Sequence, residues 1–145
     1  MGNALDIALR SKLTGDTGAG GVNTLASGGI FQGVAPRTIS GTPVGYPRVY
    51  FQQITGRPLY SFRLAVATNF VYQIKALAID ANTEGAVAAG TIDERIQVLL
   101  TDPTLTGVTL LYCRFLSAIP PMYEWDETAS QTIYHKGGYY EVWLA

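Results

Sequence analysis

The sequence predicts an α+β fold, a mainly antiparallel β-sheet packed against two helices. Three observations predict it. The last fifteen residues, Gln131 to Ala145, are aromatic and β-branched to the end, so a sheet strand closes the chain. The even positions Phe62, Leu64, Val66, Thr68, Phe70, Tyr72, Ile74, Ala76 and Ala78 keep one parity, while the odd positions include Arg63, Asn69, Gln73 and Lys75. Two stretches, one near each side of this run, carry apolar residues at helical spacing.

The first helix starts at Asn3, which can cap it with Asp6 at the third helical position. Leu5, Ile7, Leu9 and Leu13 partly share a face, and the glycines from Gly15 to Gly21 end it. Gly29 to Val34 reads as a short strand, and Ala35 to Pro47, rich in Pro and Gly, as a mobile loop. Arg48 to Thr55 is a strand bounded by Gly56-Arg57-Pro58. The alternating run from Tyr60 to Ile79 would reach about 65 Å at ~3.3 Å per residue, too long for one small domain. It must bend, break near Thr68-Asn69, or project as a β-hairpin arm. Asp80 to Thr83 provides caps for a second helix to about Leu100, with Ala88, Ile92, Ile96, Leu99 and Leu100 as its buried stripe. Thr91-Ile92-Asp93-Glu94 offers a later start through a capping box. Thr109 to Leu116 is a strand, and Pro120-Pro121 opens a loop carrying Glu124, Asp126 and Glu127 before the terminal strand.

Composition bounds what this chain can do. Its 145 residues suit one domain, spanning 1–145, that buries roughly two-thirds of its unfolded surface. Charged residues are only 14% of the chain, against about 25% for an ordinary soluble domain. Nine Tyr, two Trp and five Phe exceed the needs of one small core, so part of the surface is expected to be covered by other subunits. With net charge −1 and no Lys/Arg stripe, electrostatically driven nucleic-acid binding is not expected. One Cys leaves no intrachain disulfide. No signal peptide is visible at Met1 to Asp6 and no apolar run reaches a membrane span, so synthesis in the cytoplasm and no membrane contact are expected.

The residue types that carry chemistry are sparse. His135, the single His, lacks a second His or a Cys beside it, so it reads as a strand residue bonded to a neighbour and not as a zinc ligand. Cys113 shares a strand face with Thr109, Leu111 and Phe115, with no cation to activate it. Glu124, Asp126 and Glu127 lack calcium-loop spacing, and Gly15 to Gly21 lacks the Gly-Lys-Ser/Thr of a phosphate loop. That glycine stretch reads as a flexible linker that orders against a neighbour. No catalytic residue, metal or cofactor is expected. The residues singled out for subunit or partner contact are Phe62, Leu64 and Val66 on the long run, Tyr139 and Trp143 on the last strand, and Glu124 and Asp126 on the acidic loop.

This order of elements resembles the tail-completion (tail terminator) proteins of long-tailed bacteriophages. The likeness lies in the opening helix from Ala4-Leu5 to Leu13, the strands Tyr46 to Phe51 and Phe70 to Ala76, the helix from Thr83 to Leu100, and the ending Ile133 to Trp143 with its His135 and Gly137-Gly138. The Arg57 to Thr68 segment is more apolar than the family's hairpin, and the proline-led acidic loop from Ser117 to Ala129 departs from it. The resemblance implies a non-enzymatic virion protein at the head–tail neck, assembled as a hexameric ring. Such a ring ends the tail tube and joins it to the head connector, with DNA passing through its lumen without sequence-specific binding. Its implied partners are other copies of itself, the head-completion or connector protein and the tail-tube protein. Two other readings stand beside it: another neck or tail component, such as a stopper or tube protein, and a small ligand-binding module built on the aromatic last strand.

Overall fold

A computed structural model of the chain describes residues 2–33, 38–61, 64–81, 83–127 and 130–145. The fold is α+β. Helix α1 spans Gly2–Thr14 and a four-residue α2 spans Val22–Leu25. Short strands β1 (Gly29–Gln32), β2 (Thr38–Ile39) and β3 (Thr42–Pro43) follow, then the long strands β4 (Arg48–Ser61) and β5 (Leu64–Ile79). Helix α3 (Gly85–Leu99) leads to β6 (Leu110–Asp126) and β7 (Gln131–Leu144).

Five strands form the main sheet in the order β1-β4-β5-β7-β6, while β2 and β3 make a separate ribbon. All pairs in the main sheet are antiparallel except β1 with β4. The terminal strand is central, bonded to β5 on one side and β6 on the other. That position explains its apolar character, since a strand paired on both sides and covered by helices meets little water.

The helices lie on one face. Leu5, Leu9 and Leu13 recur every four residues, and with Ala8 they are buried. Ile7 falls off that stripe and is 59% exposed, correcting its placement on the packed face. Asn3 lies inside α1, which begins at Gly2, so it does not act as the cap. The Asp6 carboxylate instead accepts hydrogen bonds from the Tyr72 hydroxyl and, at 2.7 Å, from Gln32 Nε2, tying α1 to β5 and β1. Helix α3 starts once, at Gly85, whose N–H donates to Asp80 Oδ1 at 2.8 Å. Its buried residues are Gly85, Ala89, Gly90, Ile92, Asp93 and Ile96, with Ala88 and Leu99 half-buried and Leu100 buried just past its end. Gly85 permits the closest approach: a Cβ there would stand 2.3 Å from Cδ2 of Tyr134 on β7.

Four expectations about loops and strand boundaries are corrected. Gly15 to Gly21 is fastened within the chain. Asp16 accepts two hydrogen bonds from the Arg95 guanidinium, at 2.7 and 2.8 Å, and one from the Val22 N–H at 2.8 Å. The Arg95 bond chiefly holds the Asp16 carboxyl below the usual carboxylate range, against the opposing effect of burial. Within Ala35 to Pro47 stands the ribbon of β2 and β3. Gly56-Arg57-Pro58 does not end a strand: β4 runs through it to Ser61, paired to β5 along the way. Pro120-Pro121 likewise lies inside β6, at a register shift between Ile119 and Met122. Proline is tolerated there because β6 is the sheet edge, where a missing N–H costs no ladder bond.

Candidate assembly surfaces

The β4–β5 hairpin supplies the first surface. Every residue of β4 from Gln52 to Ser61 is exposed, as are Leu64, Ala65 and Val66 of β5. Two features of the register make this ribbon project. On one side β1 accompanies β4 only as far as the Gln32–Phe51 pair. On the other, β7 accompanies β5 only from the Thr68–Leu144 pair onward. Beyond those points the two strands have only each other. Of the alternatives for the long run, the arm is the one observed.

Leu64 is 71% and Val66 49% exposed, and Ile54, Leu59 and Tyr60 are exposed beside them. These three lie outside the predicted site. The signal for Leu59 and Tyr60 was the same alternation, hidden by reading Gly56-Arg57-Pro58 as a boundary. Phe62, the remaining predicted arm residue, lies outside the described residues. Val66 does not face the core although it shares parity with Phe70 and Tyr72. Val66 is the residue left unpaired at the register shift between Leu59 and Tyr60, and β7 does not reach beside it.

The second surface is β6. Leu111, Tyr112, Phe115, Leu116, Met122, Tyr123 and Trp125 are all exposed on it. Register shifts after Leu110, Phe115 and Ile119 break its parity. Cys113 is buried, and Leu111, left without a ladder partner at the first shift, is exposed; Phe115 keeps the Cys113 face, its ring edge-on against Tyr140 at 5.6 Å, yet is 39% exposed at the sheet edge. Burial pushes the Cys113 thiol up to about 12, with the Asp102 charge adding to it, which disfavours the thiolate. Glu124 and Asp126 sit on this strand rather than on a loop, opposite Ile133 and Gln131. The Glu124 carboxylate lies 3.0 Å from His135 Nε2.

His135 is buried on the sheet face that bears no helix, opposite Leu77 and Met122. Burial and the Lys75 charge lower its pKa, outweighing the Glu124 bond, so the ring is neutral at pH 7. The same face carries Tyr139, half-buried opposite Gln73 and Ser117. Trp143, also half-buried, packs on Tyr112 with ring centroids 6.0 Å apart. Between them Glu141 accepts from Arg114 Nε at 2.6 Å and from Asn69 Nδ2 at 2.8 Å, joining β6, β7 and β5. Burial alone would raise this carboxyl, but those bonds hold it below the usual range. Tyr139 and Trp143 thus belong mainly to a polar-aromatic layer within one sheet. The arm residues lie at its far corner, and Glu124 and Asp126 at the opposite end of β6. The predicted residues do not converge on one site.

Two of the clefts among the described residues have the following linings. A cleft of about 430 Å³ is lined by Ala4, Gly107, Val108, Thr109, Leu144 and Ala145, with no titratable side chain. One of about 370 Å³ includes Asp16, already engaged by Arg95. Among the described residues, no three His, Cys, Asp or Glu side chains are grouped to hold a metal ion, and no helix is long and apolar enough to cross a membrane.

Fold and surfaces together define a class: an α+β sheet protein distinguished by a projecting ribbon and an open aromatic strand edge. No family model and no curated protein matches the sequence. Among solved structures, the chain is similar to one in the virion of a native gene transfer agent particle. That alignment covers 99% of this chain and 97% of the other, at 15% identity and a TM-score of 0.57. At that identity the likeness is one of fold.

Proposed function

We propose that this chain is a structural virion protein, a single domain that assembles as a ring, six subunits in the family it resembles, at the head–tail junction of a phage-like particle. The ring ends the tail tube and joins it to the head connector, and its work is done by interfaces rather than by chemistry. The observation that carries this reading is the projecting apolar arm. A charge-poor protein that leaves Leu59, Tyr60, Leu64 and Val66 bare has a use for them between subunits. The full-length fold likeness to a virion chain supports the same reading.

Head-to-tail contacts close into rings when the rotation permits, each contact burying on the order of 800 Å² per partner. Native mass spectrometry of the purified chain should therefore give a closed oligomer. Acidic substitutions at Leu64 and Val66 should abolish it while the circular dichroism stays native. Loss of fold in those variants, or a monomer both in solution and in the particle's neck, counts against the proposal. Electron microscopy separates this role from the neighbouring neck roles. A terminator binds purified tail tubes, whereas a stopper binds the emptied head.

A further inference from the structure

The two edges of the main sheet are open at the same height. Followed across the ladders, Thr55 on β4 leads through Val71 and Glu141 to Arg114 on β6, and Arg57 leads through Asn69 and Trp143 to Tyr112. Both strands are regular there: β4 from Thr55 to Leu59, between its two register shifts, and β6 from Tyr112 to Phe115, between two of its own. Elsewhere each edge is blocked. Below Gln52 the outer side of β4 is taken by β1. Below Ile119, β6 carries Pro120 and Pro121, and past Arg57 β4 carries Pro58; none of the three has an N–H to offer a further strand. The unblocked half of one edge thus faces the level of the unblocked half of the other.

We infer that the outer edge of β4 in one copy, from Gln52 to Arg57, joins the outer edge of β6, from Leu110 to Ile119, in the next copy. This rests on the ring reading above and deepens it. The occupant is a second copy because the two edges complement each other in position and in direction. β4 and β6 run opposite ways in the sheet, three antiparallel pairings apart. A rotation about an axis along the strands preserves each strand's sense, so β6 of one copy meets β4 of the next antiparallel. Equal heights let the rotation close without a rise, which separates a ring from a helical filament. The strand tilt that closure imposes shifts the register by some residues. The contact also covers Leu111, Tyr112, Phe115 and Leu116 with the arm's Ile54, Leu59 and Tyr60, all exposed in the single chain. Bulges in edge strands commonly serve to prevent such pairing, so the regular stretch between them is what the inference depends on.

The test is a benzophenone-bearing amino acid placed at Arg57 and, in a second variant, at Leu59, both exposed and both tolerant of a register shift. Nitrogen-15-labelled and unlabelled full-length chains are mixed, oligomer formation is checked by native mass spectrometry, and the photoproducts are mapped by peptide sequencing. Mixed-isotope adducts falling within Leu110 to Ile119 are expected. An intact oligomer whose adducts lie elsewhere, or only within one chain, overturns the edge assignment and leaves the ring standing. Absence of any oligomer in the unsubstituted chain overturns both.

Discussion

The helix-covered half of the sheet and the projecting half of the β4–β5 hairpin are made from the same two strands and behave as opposite materials. Phe51, Phe70, Tyr72 and Ile74 are buried beneath α1 and α3. A few residues further along, Leu64 and Val66 keep the same apolar alternation and meet solvent. Hydrophobicity therefore does not say where a residue is buried; it says only that something must cover it. In the first half the chain's own helices do so, and in the second the cover has to come from outside.

That contrast is broken most directly by truncation. Leu9→Ala removes a fully buried side chain and should cost about 2–5 kcal/mol. Leu64→Ala should shift stability by no more than about 0.5 kcal/mol in the monomer, as exposed positions do. Urea denaturation of both checks it, and equal losses would mean the arm belongs to the core.

Gly137→Ala sharpens the boundary of the packed half. A Cβ there would stand 2.3 Å from the Ile74 carbonyl oxygen, and backbone cannot swing aside as a side chain can. Overpacking of this kind costs about 1–3 kcal/mol, read as a lower urea midpoint. Gly107, whose added Cβ would meet nothing within 4 Å, is the comparison for space alone, although its φ of +87° strains any other residue. A null effect at Gly137 would show the sheet relaxing more freely than packed strands do.

Removing the Asp6 carboxylate tests how the covering helix is held. Asp6→Ala leaves the Tyr72 hydroxyl, on a fully buried ring, without its acceptor, at a cost of about 1–3 kcal/mol. Adding Tyr72→Phe to that variant should recover part of the loss, since no orphaned donor remains. A double mutant no better than the single one would assign the loss to Gln32 instead.

The smallest effect is expected on the helix-free face, under acid. His135 is held neutral, its pKa below the ordinary 6.5, so the unfolded chain takes up its proton first as the pH falls. The stability it contributes is complete above pH 6.5 and declines below it. Protonation would also give Nδ1, buried and unpaired, a proton with no acceptor. His135→Gln should flatten this part of the stability profile, measured by urea denaturation between pH 7 and pH 5. A steeper profile in the variant would mean that the Glu124 bond outweighs burial.

Much of the fold was legible because periodicity reports on the nearest neighbours. Leu5, Leu9 and Leu13 marked a helix, the run from Thr68 to Ala78 a strand, and the ending from Gln131 to Ala145 a strand tied into a sheet. Each signal is carried within a few residues, and local sterics suffice to read it. The arm was legible as one alternative among three, from length alone. The core Cys113 was also legible, and so was the face it shares with Phe115, whereas the exposure of Leu111 was not. A single bulge exchanges the faces of all that follows, and nothing in the residues from Thr109 to Leu116 announces one.

What tertiary structure alone decided was where the sheet's edges fall. Gly56-Arg57-Pro58 and Pro120-Pro121 look like breaks, and in a central strand they would be. On β4 beyond β1, and on the outer strand β6, a missing N–H faces solvent and the strand runs on. The ties of Asp16 to Arg95 and of Asp6 to Tyr72 span 79 and 66 residues of sequence, so no local pattern could pair them. The sequence by itself determined that this chain would build a sheet with two main helices and more apolar surface than one core requires. Which of that surface the chain covers is a matter of strand order and register, because burial depends on what lies across the sheet and not on what lies next along the chain.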